Sequence, residues 1–325
     1  MIFAYRLKGR CLEPALTGQG LLTEGAPVTV PADAIWIDLF RPLASHVAAV
    51  ESYGVKVPTL AEMEEIEISN RLYRVDDVDY LTVVLPGQSP DREPVAGPVT
   101  FILTRDRLIT VRHHAPRPFE TFPTRAERGS AGCAGPERLF LSLAEEIVGR
   151  LADLLEGAGR KLDEAARGVL GGGGGAQATL LRTTLEEVGQ QGELISRVRL
   201  GVMTMERALS FFGTSPRADA LKPIVKALMR DLNAIAVHAD FLSSRVGLTV
   251  DATLGMINLA QNATARIFSF VAVVFLPPTL VASAYGMNFE WMPGLHGAWG
   301  YPMALGLMLA SAIGTYLFFK WKEWL

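Results

Sequence analysis

The sequence predicts an α/β domain followed by one long helix and two C-terminal membrane-spanning helices. Three observations predict it. Residues 1–112 alternate short apolar runs with turn residues, the pattern of strands mixed with helices. From Leu221 to Val246 apolar residues recur at spacings of three and four, the period of a helix face. Two uncharged apolar runs, of 18 residues (267–284) and 19 residues (301–319), stand close together near the end of the chain.

Bulk composition narrows the class. The 325-residue chain is 49% hydrophobic and 20% charged, which excludes disorder. Its mean hydropathy of +0.24 is high for a soluble enzyme, and the excess lies at one end. A net charge of -3 gives no footprint for nucleic acid, so none is expected as a partner. Cys11 and Cys133 are far apart and form no CxxC pair, which fits a reducing cytosol. The chain opens MIFAYR with no long apolar run behind it, so no secretory signal is expected and the first two-thirds should be cytoplasmic.

Taken in order, residues 1–135 form the cytoplasmic α/β domain. Segments 34–39 (AIWIDL), 80–85 (YLTVVL) and 99–103 (VTFIL) read as strands, and 107–111 completes a hairpin after Asp106. Segments 43–53 and 58–66 read as helices. No GxxxxGK[ST], GxSxG or HExxH string occurs, so no enzyme and no organic cofactor is expected. Residues 136–216 read as a helical hairpin whose tip is the run of five glycines from Gly171 to Gly175. A phosphate-cradling loop would need a Lys and a Ser or Thr after those glycines, and they are absent.

After Ser215-Pro216 no proline stands between Pro223 and Pro277, so one helix is expected from about 218 to 284. At about 1.5 Å per residue it reaches on the order of 100 Å. Residues 217–266 would be its stalk and 267–285 its membrane part. A helix of that length needs partners along its flank, which suggests an oligomer around a central axis.

The first run, IFSFVAVVFLPPTLVASA, holds ten Ile, Phe, Val or Leu residues. They contribute roughly -3 to -6 kcal/mol to insertion, and one buried Lys or Asp would remove about 3 of that. The second span covers 301–319, with an outer loop 286–300 before it and a tail 320–325 after it. Arg266, Lys320 and Lys322 flank the spans while 286–300 has no Lys or Arg, so both chain ends are expected in the cytoplasm. Trp291, Trp299, Tyr301, Trp321 and Trp324 stand where an interfacial aromatic belt would. Pro277-Pro278 inside a span is tolerable if neighbouring helices or water satisfy the freed carbonyls.

The first span ends in Tyr285-Gly286-Met287-Asn288-Phe289, followed by Met292-Pro293 and Trp299-Gly300-Tyr301-Pro302. Together with two C-terminal spans, a short uncharged loop, a long preceding helix and the terminal Lys322-Glu323-Trp324-Leu325, this resembles the CorA family of divalent-cation channels. Their hallmark is a GMN tripeptide closing the first span. The detailed match covers about residues 262–325. The resemblance implies a homopentameric funnel in a bacterial inner membrane, with the first span of each subunit lining a pore for Mg2+ or related divalent cations such as Co2+ and Ni2+. Gly286, Met287 and Asn288 would form the selectivity filter. A ring of neutral carboxamides suits an ion that dehydrates reluctantly. Gly286 and Asn288 also suit a plain helix C-cap.

The family pattern further places Leu276 and Thr279 toward the pore, with Phe268 and Ser283 on the same span and Asn262 near the cytoplasmic neck. Thr279 would offer oxygens, whereas Leu276 and Phe268 would form constrictions that close by dewetting. Lipid-facing or packing roles for these side chains remain open. By its distance from GMN, Asp251 matches an acidic regulatory position, and Glu65, within Glu62-Met63-Glu64-Glu65, aligns as its counterpart with one gap. Such carboxylates would be bridged by cytosolic Mg2+ when it is plentiful and repel when it is scarce. One departure stands in the outer loop: Gly294 follows Met-Pro where family members often carry an acid, leaving Glu290 as the loop's only carboxylate.

Two alternatives stay open. ZntB-like Zn2+ transport would favour His or Cys in the pathway, and neither span has one. His113-His114 lies far from the spans in sequence. A non-conducting, membrane-anchored cytoplasmic metal sensor is the other.

Overall fold

In a computed structural model, residues 1–9, 11–19, 29–127, 132–171, 177–287 and 299–322 are described. The chain divides into two compact units, Met1–Gly171 with Thr183–Val250, and Gly172–Arg182 with Asp251–Leu325.

The first unit is built on seven strands: β1 Ile2–Lys8, β2 Cys11–Gln19, β3 Ala34–Phe40, β4 Leu72–Val75, β5 Val78–Gln88, β6 Pro94–Leu103 and β7 Leu108–Arg112. Their order in the sheet is β2-β1-β3-β7-β6-β5-β4. Only β3 and β7 pair in parallel; every other neighbour is antiparallel. Helices α1 Ala44–Glu51, α2 Leu60–Glu64 and α3 Ile68–Arg71 lie between β3 and β4, and α4 Pro118–Glu127 follows β7.

Alternation along the strands sends side chains to two cores. Leu81, Val83 and Leu85 of β5 and Val99, Phe101 and Leu103 of β6 join one cluster with Phe122 of α4 and residues of the later helices. Tyr80 and Ile102 of the same strands, with Ile37, Leu39, Ile109 and Val111, face the other, with Val50 and Met63. Both faces being covered explains why 34–39, 80–85, 99–103 and 107–111 read as nearly continuous apolar runs.

The parallel β3–β7 pairing carries a buried polar clamp. Asp38 accepts from Arg112 Nη2 at 2.8 Å and Nε at 3.1 Å, and from the Thr110 hydroxyl at 2.7 Å. Trp36 Nε1 donates to the Thr110 hydroxyl at 3.1 Å, so the network runs across both strands. The Arg112 guanidinium also lies over the rings of Phe40 and Phe119, 4.3 Å and 5.0 Å from the two centroids.

Long helices α5 Pro136–Gly171, α6 Gln177–Gly213 and α7 Lys222–Tyr285 follow, with a 3-10 turn at Pro216–Leu221 before α7. Within the first unit, α6 lies directly on β5: a Cβ at Gly201 would come 3.2 Å from the Val84 carbonyl and 3.3 Å from Leu151. There the Val84 N–H donates to the Thr204 hydroxyl at 3.0 Å. Gly159 of α5 and Gly192 of α6 face Leu242 and Val246 of α7. Arg199–Asp240 at 3.0 Å and an ion pair between Arg245 and Asp163 tie α7 to both neighbours.

Several expectations shift in detail. The long helix begins at Lys222, not 218, because Pro216 and the following residues take the tighter 3-10 form. The helix expected over 58–66 is five residues long and stops at Glu64. Strands β1, β2 and β4 were not assigned individually from sequence. In the second unit, α7 runs unbroken through Pro277 and Pro278, and α8 spans Gly300–Trp321. The glycines of the expected hairpin tip, Gly172 to Gly175, lie outside the described residues.

Candidate ion pathway and regulatory residues

The second unit holds the two apolar helices. The apolar windows of α7 and α8 are 0% and 6% buried within the chain, the reverse of a soluble core helix. Both are long and apolar enough to cross a membrane.

The two sides of α7 differ. Phe270 meets Tyr316 and Phe319 of α8, with ring centroids 6.4 and 6.0 Å apart. The partly covered residues Phe270, Val274, Pro277, Pro278, Val281 and Tyr285 all fall within an arc of about 100° at 100° per residue. Asn262, Phe268, Leu276, Thr279, Ser283 and Gly286 fall in an arc of about 120° on the opposite side. All six are exposed, Phe268 at 72% and Leu276 at 66%. Asp251 projects onto the same arc farther along the helix and is exposed.

Local chemistry differs among these residues. The Thr279 hydroxyl donates to the Leu276 carbonyl at 2.9 Å, so its one proton is used within the helix and its oxygen is left as an acceptor. Asn262 is exposed on a different footing, since a carboxamide has two donors and an acceptor to satisfy. At the helix end, Gly286 N–H still bonds the Ala282 carbonyl at 2.9 Å and Met287 N–H reaches Ala284 at 3.4 Å. A Cβ on Gly286 would stand 3.1 Å from that Ala282 carbonyl. Asn288, Glu290, Met292, Pro293, Gly294 and His296, with the belt residues Trp291 and Trp324, lie outside the described residues.

Glu65 stands at the C-cap of α2, exposed, and accepts from Asn70 Nδ2 at 2.5 Å. Its neighbour Glu62 is committed elsewhere. The Lys56 ammonium lies 2.5 Å from it, and the Thr59 N–H donates to it at 2.8 Å. Those two bonds, Lys56 first, hold the Glu62 carboxyl down at about 2. Of the acidic run, Met63 is buried while Glu64 and Glu65 are exposed. Lys56 carries no sequence signal of this role, since it lies six residues before Glu62, a spacing that no helix or strand period flags.

Among the described residues no three His, Cys, Asp or Glu side chains gather to hold a metal ion. His114 is buried, with Nε2–H donating to the Leu85 carbonyl at 2.8 Å, so it does not join His113 as a ligand pair. Its burial has no signal in the sequence, because the residues that enclose it, Gly87 and Gly97, carry no apolar side chain. A Cβ on either glycine would come within 2.7 Å of the imidazole.

An α/β unit joined by a long helix to two uncovered apolar helices defines a membrane protein with a large domain outside the bilayer. The chain belongs to the family described as CorA-like Mg2+ transporter protein, which it matches over residues 31–321. It is 33% identical over 294 residues to the magnesium transport protein CorA of Haemophilus influenzae, covering 90% of this chain and 92% of that one. To the CorA of Escherichia coli K12 it is 34% identical over 295 residues, with the same coverage, 90% and 92%. In fold it is similar to the complete CorA magnesium transporter from Methanocaldococcus jannaschii, with a TM-score of 0.75 at 16% identity, covering 100% and 99% of the two chains. It is also similar to the ZntB cytoplasmic domain from Vibrio parahaemolyticus, with a TM-score of 0.57 at 12% identity, covering 79% and 97%. At such identities these likenesses concern the fold alone.

Proposed function

We propose that this chain forms a channel through which Mg2+ enters the cytoplasm down its electrochemical gradient, with Co2+ and Ni2+ as further permeant ions. The observation that carries the reading is the two-sidedness of α7. One arc is covered by α8, and the opposite, exposed arc bears Asn262, Phe268, Leu276, Thr279 and Ser283 and ends at Gly286. Five copies, each turning that arc inward, would enclose a pore ending in the Gly286-Met287-Asn288 filter. Family membership and the magnesium transport proteins among the relatives support this choice of ion.

The physics of each layer follows from the residue types. Asn288 carboxamides would hold the water shell of Mg2+ without stripping it. Thr279, its proton spent on Leu276, presents only acceptor lone pairs, the polarity a hydrated cation needs. Leu276 and Phe268 form apolar rings that close by dewetting. A divalent ion gains about 4.6 kcal/mol per 100 mV of inside-negative potential, so no proton coupling is required. The assembly sits in the inner membrane with both chain ends, residues 1–266 and the 320–325 tail, on the cytoplasmic side. Spans 267–285 and 301–319 cross it, and 286–300 faces outward. Glu290 serves as the loop's ion-attracting carboxylate.

Asp251 and Glu65 serve as the cytosolic Mg2+ sensors, bridged by bound ions when the channel is shut. If Asp251→Ala leaves the dependence of flux on internal Mg2+ unchanged, this gating role is wrong.

The test of conduction is Mg2+ uptake into dye-loaded proteoliposomes, comparing wild type with Asn288→Ala, alongside Co2+, Ni2+ and Zn2+. Uptake should follow voltage, ignore a pH gradient and fail in the variant. Zn2+ flux that requires protons would replace this reading with ZntB-like transport. No flux of any ion would leave an anchored sensor.

A further inference from the structure

Away from the apolar helices, the first unit has an open cleft of about 440 Å³ between the β5–β6 hairpin, the start of α4 and the flanks of α5 and α6. Its volume lies in the range of small-molecule sites, about 300–1,000 Å³. Its lining is of two kinds. Leu154 of α5, Leu194 of α6 and Val95 of β6 give it an apolar wall, and Arg117, Arg150, Arg197 and Glu120 give it charge.

The three arginines are not equivalent. Arg197 is tied to Glu193 one turn away on its own helix. Arg117 and Arg150 make no ion pair with any described residue, whereas Arg6, Arg74, Arg105, Arg112, Arg125 and Arg138 each do. Two guanidinium groups without an ion pair thus line one cleft, Arg117 exposed and Arg150 half-buried. A guanidinium offers a planar fork of donors that matches phosphate oxygens two at a time. The apolar wall beside them fits a ligand body that is not itself charged. Glu120 opposes an anion, so the ligand must be held by both arginines against it.

We propose that this cleft binds a phosphorylated small molecule of mononucleotide size, its phosphate taken by Arg117 and Arg150 and its uncharged body by Leu154 and Leu194. The site lies within the first unit, and its occupancy is independent of whether the chain conducts ions.

The test is calorimetric titration of the full-length protein in detergent, in magnesium-free buffer, with ADP, inorganic pyrophosphate and adenosine as probes. ADP should bind most tightly, pyrophosphate more weakly, and adenosine not measurably. Arg117→Gln and Arg150→Gln should each weaken ADP about tenfold or more, the worth of a hydrogen bond to a charged group. Glu120→Gln should tighten it, the opposite sign, which a merely structural lesion would not produce. Thermal unfolding of each variant, together with its elution as the same oligomer, establishes that it is folded. Absence of ADP binding to wild type, or equal binding by a folded Arg117→Gln/Arg150→Gln variant, overturns the proposal. Pyrophosphate binding as tightly as ADP overturns the role of the apolar wall.

Discussion

His114 makes acid stability of the first unit testable at one residue. Its ring is enclosed by Gly87 and Gly97, its Nε2–H is committed to the Leu85 carbonyl, and its Nδ1 has no partner. Burial first, with Arg112, His113 and Arg41 adding to it, pushes the imidazole from 6.5 down to about 4. The folded chain therefore resists a proton that the unfolded chain accepts below pH 6.5. The sign follows: full stability is kept above 6.5 and lost progressively as pH falls toward 4. The loss is about 1.4 kcal/mol per pH unit, about 3 kcal/mol over the whole window. His114→Gln keeps an N–H for Leu85 and removes the basic nitrogen. Between pH 7 and pH 5 the wild type should lose about 2 kcal/mol that the variant does not. At about 2–4 °C per kcal/mol for a domain of this size, that is about 4–8 °C in the unfolding midpoint. The assay is scanning fluorimetry of the detergent-solubilised chain across that range. Parallel pH profiles for the two proteins would refute the reasoning, whatever the variant's stability at pH 7.

Other substitutions probe separate links. Asp38→Ala strands the buried Arg112 guanidinium and should cost about 3–5 kcal/mol. The Asp38→Ala/Arg112→Leu double variant should recover most of it in the same thermal assay. Thr279→Val keeps the shape of an exposed helix residue and removes the hydroxyl oxygen. Mg2+ flux in proteoliposomes should fall about tenfold, corresponding to about 1.5 kcal/mol for a hydrogen bond to a charged group, with the unfolding midpoint unchanged. Gly201→Val drives a side chain into the Val84 carbonyl and Leu151, and should destabilise the first unit by about 1–3 kcal/mol in the thermal assay.

The legibility of the sequence varied with how strongly each segment is periodic. Strands β3, β5, β6 and β7 lie inside the sheet with both faces covered, so their apolar runs were plain. The strands not assigned lie toward its two edges. β2 carries Pro14 and pairs irregularly with β1, and an edge tolerates a proline that a central strand would not. β4 is four residues long and turns into β5 through Asp76-Asp77, both with positive φ. That turn favours Asn, Asp and Gly, and it was the available signal for a hairpin. The exposed arc of α7 was partly legible, as the spacing of Phe268, Leu276 and Thr279. The covered side of that helix depends on α8, against which Phe270 meets Tyr316 and Phe319. The cleft at Arg117 and Arg150 was not legible at all, because it joins residues from five separate segments with no shared period.

The exposed arc of α7 carries Asn262, Thr279 and Ser283 as its polar side chains beside Phe268 and Leu276. Lipid accepts Leu276 and Phe268, and it accepts Thr279 too, since that hydroxyl already donates to its own helix. Thr279 by itself therefore does not distinguish a pore from a lipid face. Asn262 does not either: it precedes Arg266 and the apolar run 267–284, where water meets its carboxamide whatever the arc faces. Asn262 and Thr279 lie about 100° apart around the helix, within the same arc, and about 25 Å apart along it. In the proposed channel, water along one axis would meet Asn262 at the neck and Thr279 within the span, with Phe268 and Leu276 between them. Loss of Mg2+ flux in Thr279→Val at an unchanged unfolding midpoint is what separates that arrangement from a lipid-facing arc.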